Sequence, residues 1–311
     1  MNQSHAPVMQ QEVIDGLAIR PDGNYVDGTY GRGGHARSIL AALGENGRLI
    51  VMDRDPQAIA DARELLGSDH RVTIIHDEYA SMPSHIADLD LLERIDGILL
   101  DLGVSSPQLD DATRGFSFQH KGPLDMRMNP ESGQSAAQWL GQADEAEIAR
   151  VLWEYGEERY SRRIAKKIVE QRASKPIEDT ATLAALISAI VPRPKNNRHP
   201  ATRSFQAIRI HVNQELTQIQ LLLESVVGIL RIGGRLLVIS FHSLEDRLVK
   251  RFFKANSSRA RLPRGLPLRD SELDSVVPLK LVGRAVRAGA RELAANPRAR
   301  SAVLRIAERA A

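Results

Sequence analysis

A doubly wound α/β fold, with a mostly parallel sheet and an inserted all-helical subdomain, is predicted by three observations. Apolar strand-like runs alternate with helical patterns from residue 24 to residue 101. Between about 109 and 204 the strand pattern stops and four helical patterns follow one another. The alternation then resumes after residue 205. Short apolar runs between helices indicate a parallel sheet covered on both faces. The expected division is one discontinuous cofactor-binding domain, residues 1–108 and 205–311. Residues 109–204 form an inserted helical substrate-recognition subdomain.

Each element has its own signal. Asn24-Tyr25-Val26 reads as a short strand and Ala36 to Leu43 as a helix. Arg48 to Met52 is a buried strand ending in Asp53. Pro56 to Leu66 is a helix with proline at its start and Gly67 after its end. Arg71 to His76 and Ile95 to Leu100 are further strands, the latter ending in Asp101. The helical stretch contains 135–140, 144–154, 160–173 and 180–190, and the basic, proline-rich segment 192–200 closes it. Phe205 to Leu230 predicts one long helix, with Gly233-Gly234 after its end. Arg235 to Ile239 is a strand. Ser243-Leu244-Glu245-Asp246 has the form of a capping box opening a helix to about Lys254. Residues 256–275 read as loop, and 279–282 and 301–307 supply the last two strands.

Composition narrows the chemistry. A chain of 311 residues without cysteine has no disulfide, no cysteine-ligated zinc and no thiol nucleophile. Methylation at C5 of a pyrimidine, which uses a cysteine to add to the ring, is disfavoured for the same reason. His242 with Glu245 and Asp246 has the makings of a metal site, but Ser243 and Asp246 already have a capping role there; the other histidines show no metal-ligand spacing, so no metal is expected. No apolar run approaches the roughly 18 residues of a membrane span. The N-terminus lacks a secretory pattern, and a cytoplasmic location without membrane partners is expected. Charge is uneven: residues 1–192 carry 19 Lys/Arg against 30 Asp/Glu, a net of −11, and residues 193–311 carry 23 against 9, a net of +14. A basic half of this kind suits a polyanion. Its clusters are Arg193, Lys195, Arg198 and Arg203, then Lys250 and Arg251, then Arg259, Arg261 and Arg264, and a series from Arg284 to Arg300.

The segment Asp27-Gly28-Thr29-Tyr30-Gly31-Arg32-Gly33-Gly34-His35 joins the first strand to the first helix. Glycines let a backbone approach a ligand, and a helix N-terminus offers free N–H groups. Gly31-x-Gly33-x-x-Ala36 fits a dinucleotide loop. Asp27-x-Thr29-x-Gly31-x-Gly33 fits S-adenosylmethionine (SAM) better. A carboxylate at the strand end repels a pyrophosphate and attracts an ammonium and a sulfonium. Asp53 can accept from ribose hydroxyls in either case, and Tyr79 can cover an adenine face. Asp101 ends the fourth strand and leads to Ser105-Ser106-Pro107-Gln108. This resembles the first half of the loop with which amino-methyltransferases grip an exocyclic amine. Ser105, Ser106 and Pro107 are therefore the expected catalytic residues. A side-chain oxygen and a backbone carbonyl there would accept the two N–H bonds of the amine. An NAD-linked oxidoreductase and a non-catalytic RNA-binding assembly factor remain as alternatives.

The motifs as a set go further. Gly28 to His35, Asp101 to Asp110, Arg114 to Phe118, Gly122 to Met128, Tyr155 to Glu158, His199 to Ala207, Ser240 to Arg247 and Asn296 to Ser301 together resemble the bacterial ribosomal RNA small-subunit methyltransferase H family, also called MraW. The resemblance implies a Rossmann-like SAM-dependent methyltransferase domain with a helical insertion. It implies N4-methylation of a cytidine in the decoding region of 16S rRNA, in the small ribosomal subunit, and leaves a homodimer open. By matching position, Gly33, Gly34, His35, Asp53, Tyr79, Asp101 and Gln108 would contact SAM, beside Asp27 and Gly31 from the loop itself.

Overall fold

The computed structural model describes residues 7–193, 199–258 and 277–311. Lys195, Arg198, Arg259, Arg261 and Arg264 lie outside the described residues, as does most of the expected loop 256–275. The chain forms two compact units, residues 1–103 with 216–311, and residues 104–215.

The first unit is built on an eight-stranded sheet. Its strands are β1 (Asn24–Asp27), β2 (Arg48–Asp53), β3 (Val72–His76), β4 (Ile95–Asp101), β5 (Leu230–Ser240), β6 (Leu279–Leu281), β7 (Val286–Arg287) and β8 (Val303–Arg309). They run in the order β3-β2-β1-β4-β5-β8-β6, with β7 also on β8. The first five strands are parallel, and β8 pairs antiparallel with β5, β6 and β7. Side chains alternate between the two faces. Val26, Ile50, Ile98, Leu100, Leu236 and Val238 line one core, and Tyr25, Leu49, Val51, Leu99, Leu237 and Ile239 line the other. That is why these strands read as continuous apolar runs: both faces are covered.

Helices cover each face. Four of them, α1 (Gln10–Leu17), α2 (Gly34–Ala42), α3 (Pro56–Leu66) and α4 (Met82–Asp88), come early in the chain. α1 to α3 bury Val13, Ile39 and Ala62 on the Tyr25 side, and α4 buries Ile86 on the Val26 side. At the start of α3 Asp55 accepts the Gln57 N–H at 3.0 Å, and Pro56 occupies the first turn where its missing donor costs nothing. The order reverses at β1, whose two neighbours are β2 and β4. In an open parallel sheet the ligand crevice lies outside the carboxyl ends at such a switch point.

The second unit is helical: α5 (Ser106–Asp110), α6 (Ala136–Gln142), α7 (Glu145–Gly156), α8 (Ser161–Ser174), α9 (Thr180–Ser188) and α10 (Thr202–Val212). They enclose a core that includes Trp139, Ile148, Leu152, Ile164, Ile168, Leu183 and Ile208. Among the described residues no strand occurs there, only an isolated bridge between Pro123 and Asp179.

Three local expectations are corrected. The predicted helix 205–230 is two helices, α10 and α11 (Glu215–Ile229), separated at Asn213-Gln214. The Asn213 side chain donates to the Met126 carbonyl and accepts from the Met128 N–H, each at 2.7 Å. Gln214 takes a left-handed φ of 50°. Apolar residues keep helical spacing on both sides of this break, so periodicity alone runs through it. Next, β5 begins at Leu230 and includes Gly233 and Gly234. Its register against β4 shifts between Ile95 and Gly97, and Gly233 has φ 79°. The glycine pair serves a bulge, not a helix stop. Finally, α12 (Ser243–Ser257) is capped by His242 with Glu245, not by Ser243. Asp246 instead forms an ion pair with Arg305 at 2.7 Å.

Candidate active site

The carboxyl ends of β1, β2 and β4 converge on the glycine loop. Gly28 N–H donates to the Leu99 carbonyl and Tyr30 N–H to the Met52 carbonyl, both at 2.9 Å. The loop is thus slung between β4 and β2. A Cβ on Gly28 would come within 2.7 Å of Leu100. Gly33 has φ 65°, and a Cβ there would lie 2.6 Å from the Tyr30 hydroxyl, so the tight turn needs glycine. Gly31 shares the left-handed conformation, and Gly34 opens α2.

Five hydrogen bonds involve the acids and the residues beside them. Asp27 Oδ1 accepts the Thr29 N–H at 3.1 Å. Asp53 accepts from the Gly31 N–H at 2.8 Å and from the Asp55 N–H at 2.9 Å. The Asp101 N–H donates to the Thr29 hydroxyl at 2.6 Å, which ties the loop to the end of β4. The Tyr30 hydroxyl donates to Asp61 at 3.0 Å. Thr29 stands where the motif usually has glycine, and this bond to Asp101 gives the departure a role that spacing did not reveal.

Burial has a large effect on this cluster. It pushes the Asp27 carboxyl up to about 7, aided by the charge of Asp53 and opposed by the Thr29 amide. It pushes Asp53 up to about 6 against the amides of Asp55 and Gly31. It pushes Asp101 up to about 8, with Asp27 and Glu245 adding to the effect. Beside burial, the groups among the described residues that act on these three are carboxylates and backbone amides. His35, in the first turn of α2, has Nε2 3.7 Å from Asp101, too far for a hydrogen bond. Burial holds that ring neutral, near 4. Tyr79 follows β3, half-buried against the core beneath α4 and α11. Glu245 is buried at the start of α12, and its charge reaches Asp101, an effect that the sequence did not reveal.

The structure therefore brings Asp27, Gly31, Gly33, Gly34, His35, Asp53 and Asp101 together around one loop. Ser105, Ser106, Pro107 and Gln108 fall in the second unit, at the start of α5. There the Ser105 N–H donates to the buried Gln108 side chain at 2.9 Å, in a reciprocal capping box.

A dinucleotide would place phosphate against these carboxylates. A cationic ligand would relieve the burial that holds them near neutrality, and the glycine positions leave room for a close backbone approach. The residues fit S-adenosylmethionine, and the protein is a Rossmann-like methyltransferase that uses it as cofactor. It belongs to the MraW methylase family, whose profile matches residues 2–310. That match removes the oxidoreductase alternative. Several solved structures also resemble the chain. One is a protein described as an rRNA methylase from Clostridium thermocellum, with 14% identity, 99% of this chain and 100% of that chain covered, and a TM-score of 0.45. Another is an rRNA methylase from Streptococcus thermophilus, at 12% identity, 96% and 94% coverage and a TM-score of 0.40. A third, described as a methyltransferase from Streptococcus mutans in complex with SAH, has 12% identity, 96% coverage of each chain and a TM-score of 0.44. Membership rests on the family match and not on these likenesses. No described helix is long and apolar enough to cross a membrane.

Proposed function

We propose that this chain methylates N4 of a cytidine in the decoding region of 16S rRNA, acting on the small ribosomal subunit or a precursor of it. The observation that carries the reading is the carboxylate wall of Asp27, Asp53 and Asp101, raised by burial and facing the loop at the switch point. Bound there, S-adenosylmethionine supplies an electrophilic methyl group on a sulfonium. Asp53 keeps lone pairs for ribose hydroxyls beyond its two amide bonds. Tyr79 offers a ring face for adenine. Gly33, Gly34 and His35 allow the close backbone approach, and Gln108 completes the matched cofactor set. Ser105, Ser106 and Pro107 keep the role their pattern suggests, presenting acceptors to the amine. Such positioning can supply about 7–11 kcal/mol of the barrier.

The RNA substrate is supported by family membership and by exposed arginines at 284, 287, 291, 298 and 300 in the basic half. Cations of this kind suit phosphate contacts. The target base would be unstacked at a cost of a few kcal/mol. Incubation with methyl-labelled SAM and unmodified small subunits, then nucleoside analysis, tests the reading. Label in 16S rRNA as N4-methylcytidine is expected. An enzyme that binds S-adenosylhomocysteine yet leaves small-subunit RNA unlabelled would refute the substrate.

A further inference from the structure

Methyl transfer to an exocyclic amine leaves a proton to be removed. We infer that Asp101 is its acceptor: the carboxylate oxygen on its exposed side, Oδ2, first accepts an N–H of the target amine, then takes the proton as the new N–C bond forms. The inference rests on the methyl-transfer reading above and adds to it one residue and one atom.

The choice of Asp101 follows from comparing the three acids. Asp53 spends both oxygens on the amides of Gly31 and Asp55. Asp27 is 1% exposed and turned to the Thr29 and Ala36 amides. Asp101 is different. Its main chain is fixed by the Thr29 hydroxyl at 2.6 Å, and Leu102 N–H holds the next residue to Ile239 at 3.0 Å. Its side chain keeps 25% of its surface exposed; Oδ1 is shielded, so the open oxygen is Oδ2, 3.7 Å from His35 Nε2 and outside hydrogen-bond range. Of the three acids it is the one whose exposed oxygen carries no hydrogen bond among the described residues.

The groups facing it are Asp27 from β1, His35 from α2 and Glu245 from α12. Two are carboxyls and the third is a neutral imidazole; the cation beside it during the reaction is the sulfonium, whose charge is lost as the methyl group leaves. Burial, Asp27 and Glu245 together bring its proton affinity to about 8, near the pH where a general base is most effective. The balance is simple. The N4 lone pair bonds the methyl carbon as the carbon–sulfur bond breaks, and that electron pair stays on sulfur. The N–H proton passes to Asp101 Oδ2 and leaves to solvent from that exposed side of the carboxyl. The amine product is neutral.

The test is single-turnover methylation of small subunits at saturating SAM from pH 5.5 to 9. Calorimetry with S-adenosylhomocysteine and melting curves are run on the same samples. The wild-type rate is expected to rise with pH through one titration. Asp101→Asn is expected to lose that limb and slow roughly 10²–10⁴-fold. Asp27→Asn is expected to bind S-adenosylhomocysteine more weakly but keep the limb. Independently of turnover, carboxyl-labelled aspartate NMR should show the Asp101 resonance titrating near neutrality and shifting when cytidine is added. A wild-type rate flat with pH overturns the inference even if the variant misfolds. So does a folded Asp101→Asn protein at wild-type rate, or an Asp101 resonance unmoved by cytidine. Failure of the wild-type protein to bind S-adenosylhomocysteine would instead overturn the cofactor assignment beneath it.

Discussion

The helical unit and the crevice of the sheet unit treat charge removed from water in opposite ways. In the helical unit it is matched. Arg209 meets Glu215 through two bonds of 2.7 Å, with side chains 15% and 6% exposed. Arg127 holds Asp125 with bonds of 2.8 and 2.7 Å, and Arg114 donates to the Met128 carbonyl at 2.8 Å. Although burial would raise the Asp125 carboxyl, Arg127 keeps it below its ordinary range. In the sheet unit Asp27, Asp53 and Asp101 are raised, because what surrounds them is more carboxylate and backbone amide. Paired charge fixes a fold, whereas like charge gathered in one crevice stores a demand for a cation.

The contrast is open to direct attack. The largest effect is expected from Glu215→Ala, which removes the carboxylate partner of Arg209. Breaking a buried pair from one side costs about 3–5 kcal/mol. Chemical denaturation should show that loss, and a loss under 1 kcal/mol would mean the pair is not structural.

A smaller effect, of several degrees in melting temperature, is expected from pH. The three raised acids have folded values of about 7, 6 and 8, above the unfolded range near 4. The folded state then holds more protons, so their contribution is full below about pH 4 and is lost as pH rises through 6 to 8. The ligand-free protein should melt lower at pH 8.5 than at 5.5, and Asp27→Asn should flatten the dependence. Asp125 has the opposite sign: its contribution fades as pH falls below about 4, since Arg127 lowers it. Calorimetric scans showing no decline between pH 5.5 and 8.5 would remove the proposed contrast. The smallest effect belongs to Arg150→Ala. The Arg150–Glu154 pair spans one helical turn at 2.8 Å with both side chains about half exposed. Such pairs are worth about 0.3–0.5 kcal/mol, and a change above 1 kcal/mol would show that exposed pairs here matter more than expected.

Much of the sheet was legible because its central strands are apolar on both faces and α3 carries its own start and stop in Pro56 and Gly67. The acids at strand ends were legible because the rule for open sheets assigns them a place. The break at Asn213 was not, because its cause is a clasp on Met126 and Met128 more than 80 residues away in sequence. The cap of α12 was misplaced by one residue because Ser243 has the better local propensity, while the fold uses His242 with Glu245. The pairing of Thr29 with Asp101 was invisible for the same reason as Asn213: 72 residues separate the partners.

By itself the sequence determined the α/β class, the glycine loop and the acids that end β1, β2 and β4. These depend on neighbours in the chain: period, caps and conformational freedom. Tertiary structure alone decided which of those acids are pinned by amides, which one keeps an exposed unbonded oxygen, and how far each is driven toward neutrality. Desolvation and the fields of distant charges set those properties, and both exist only once the strands have been brought side by side.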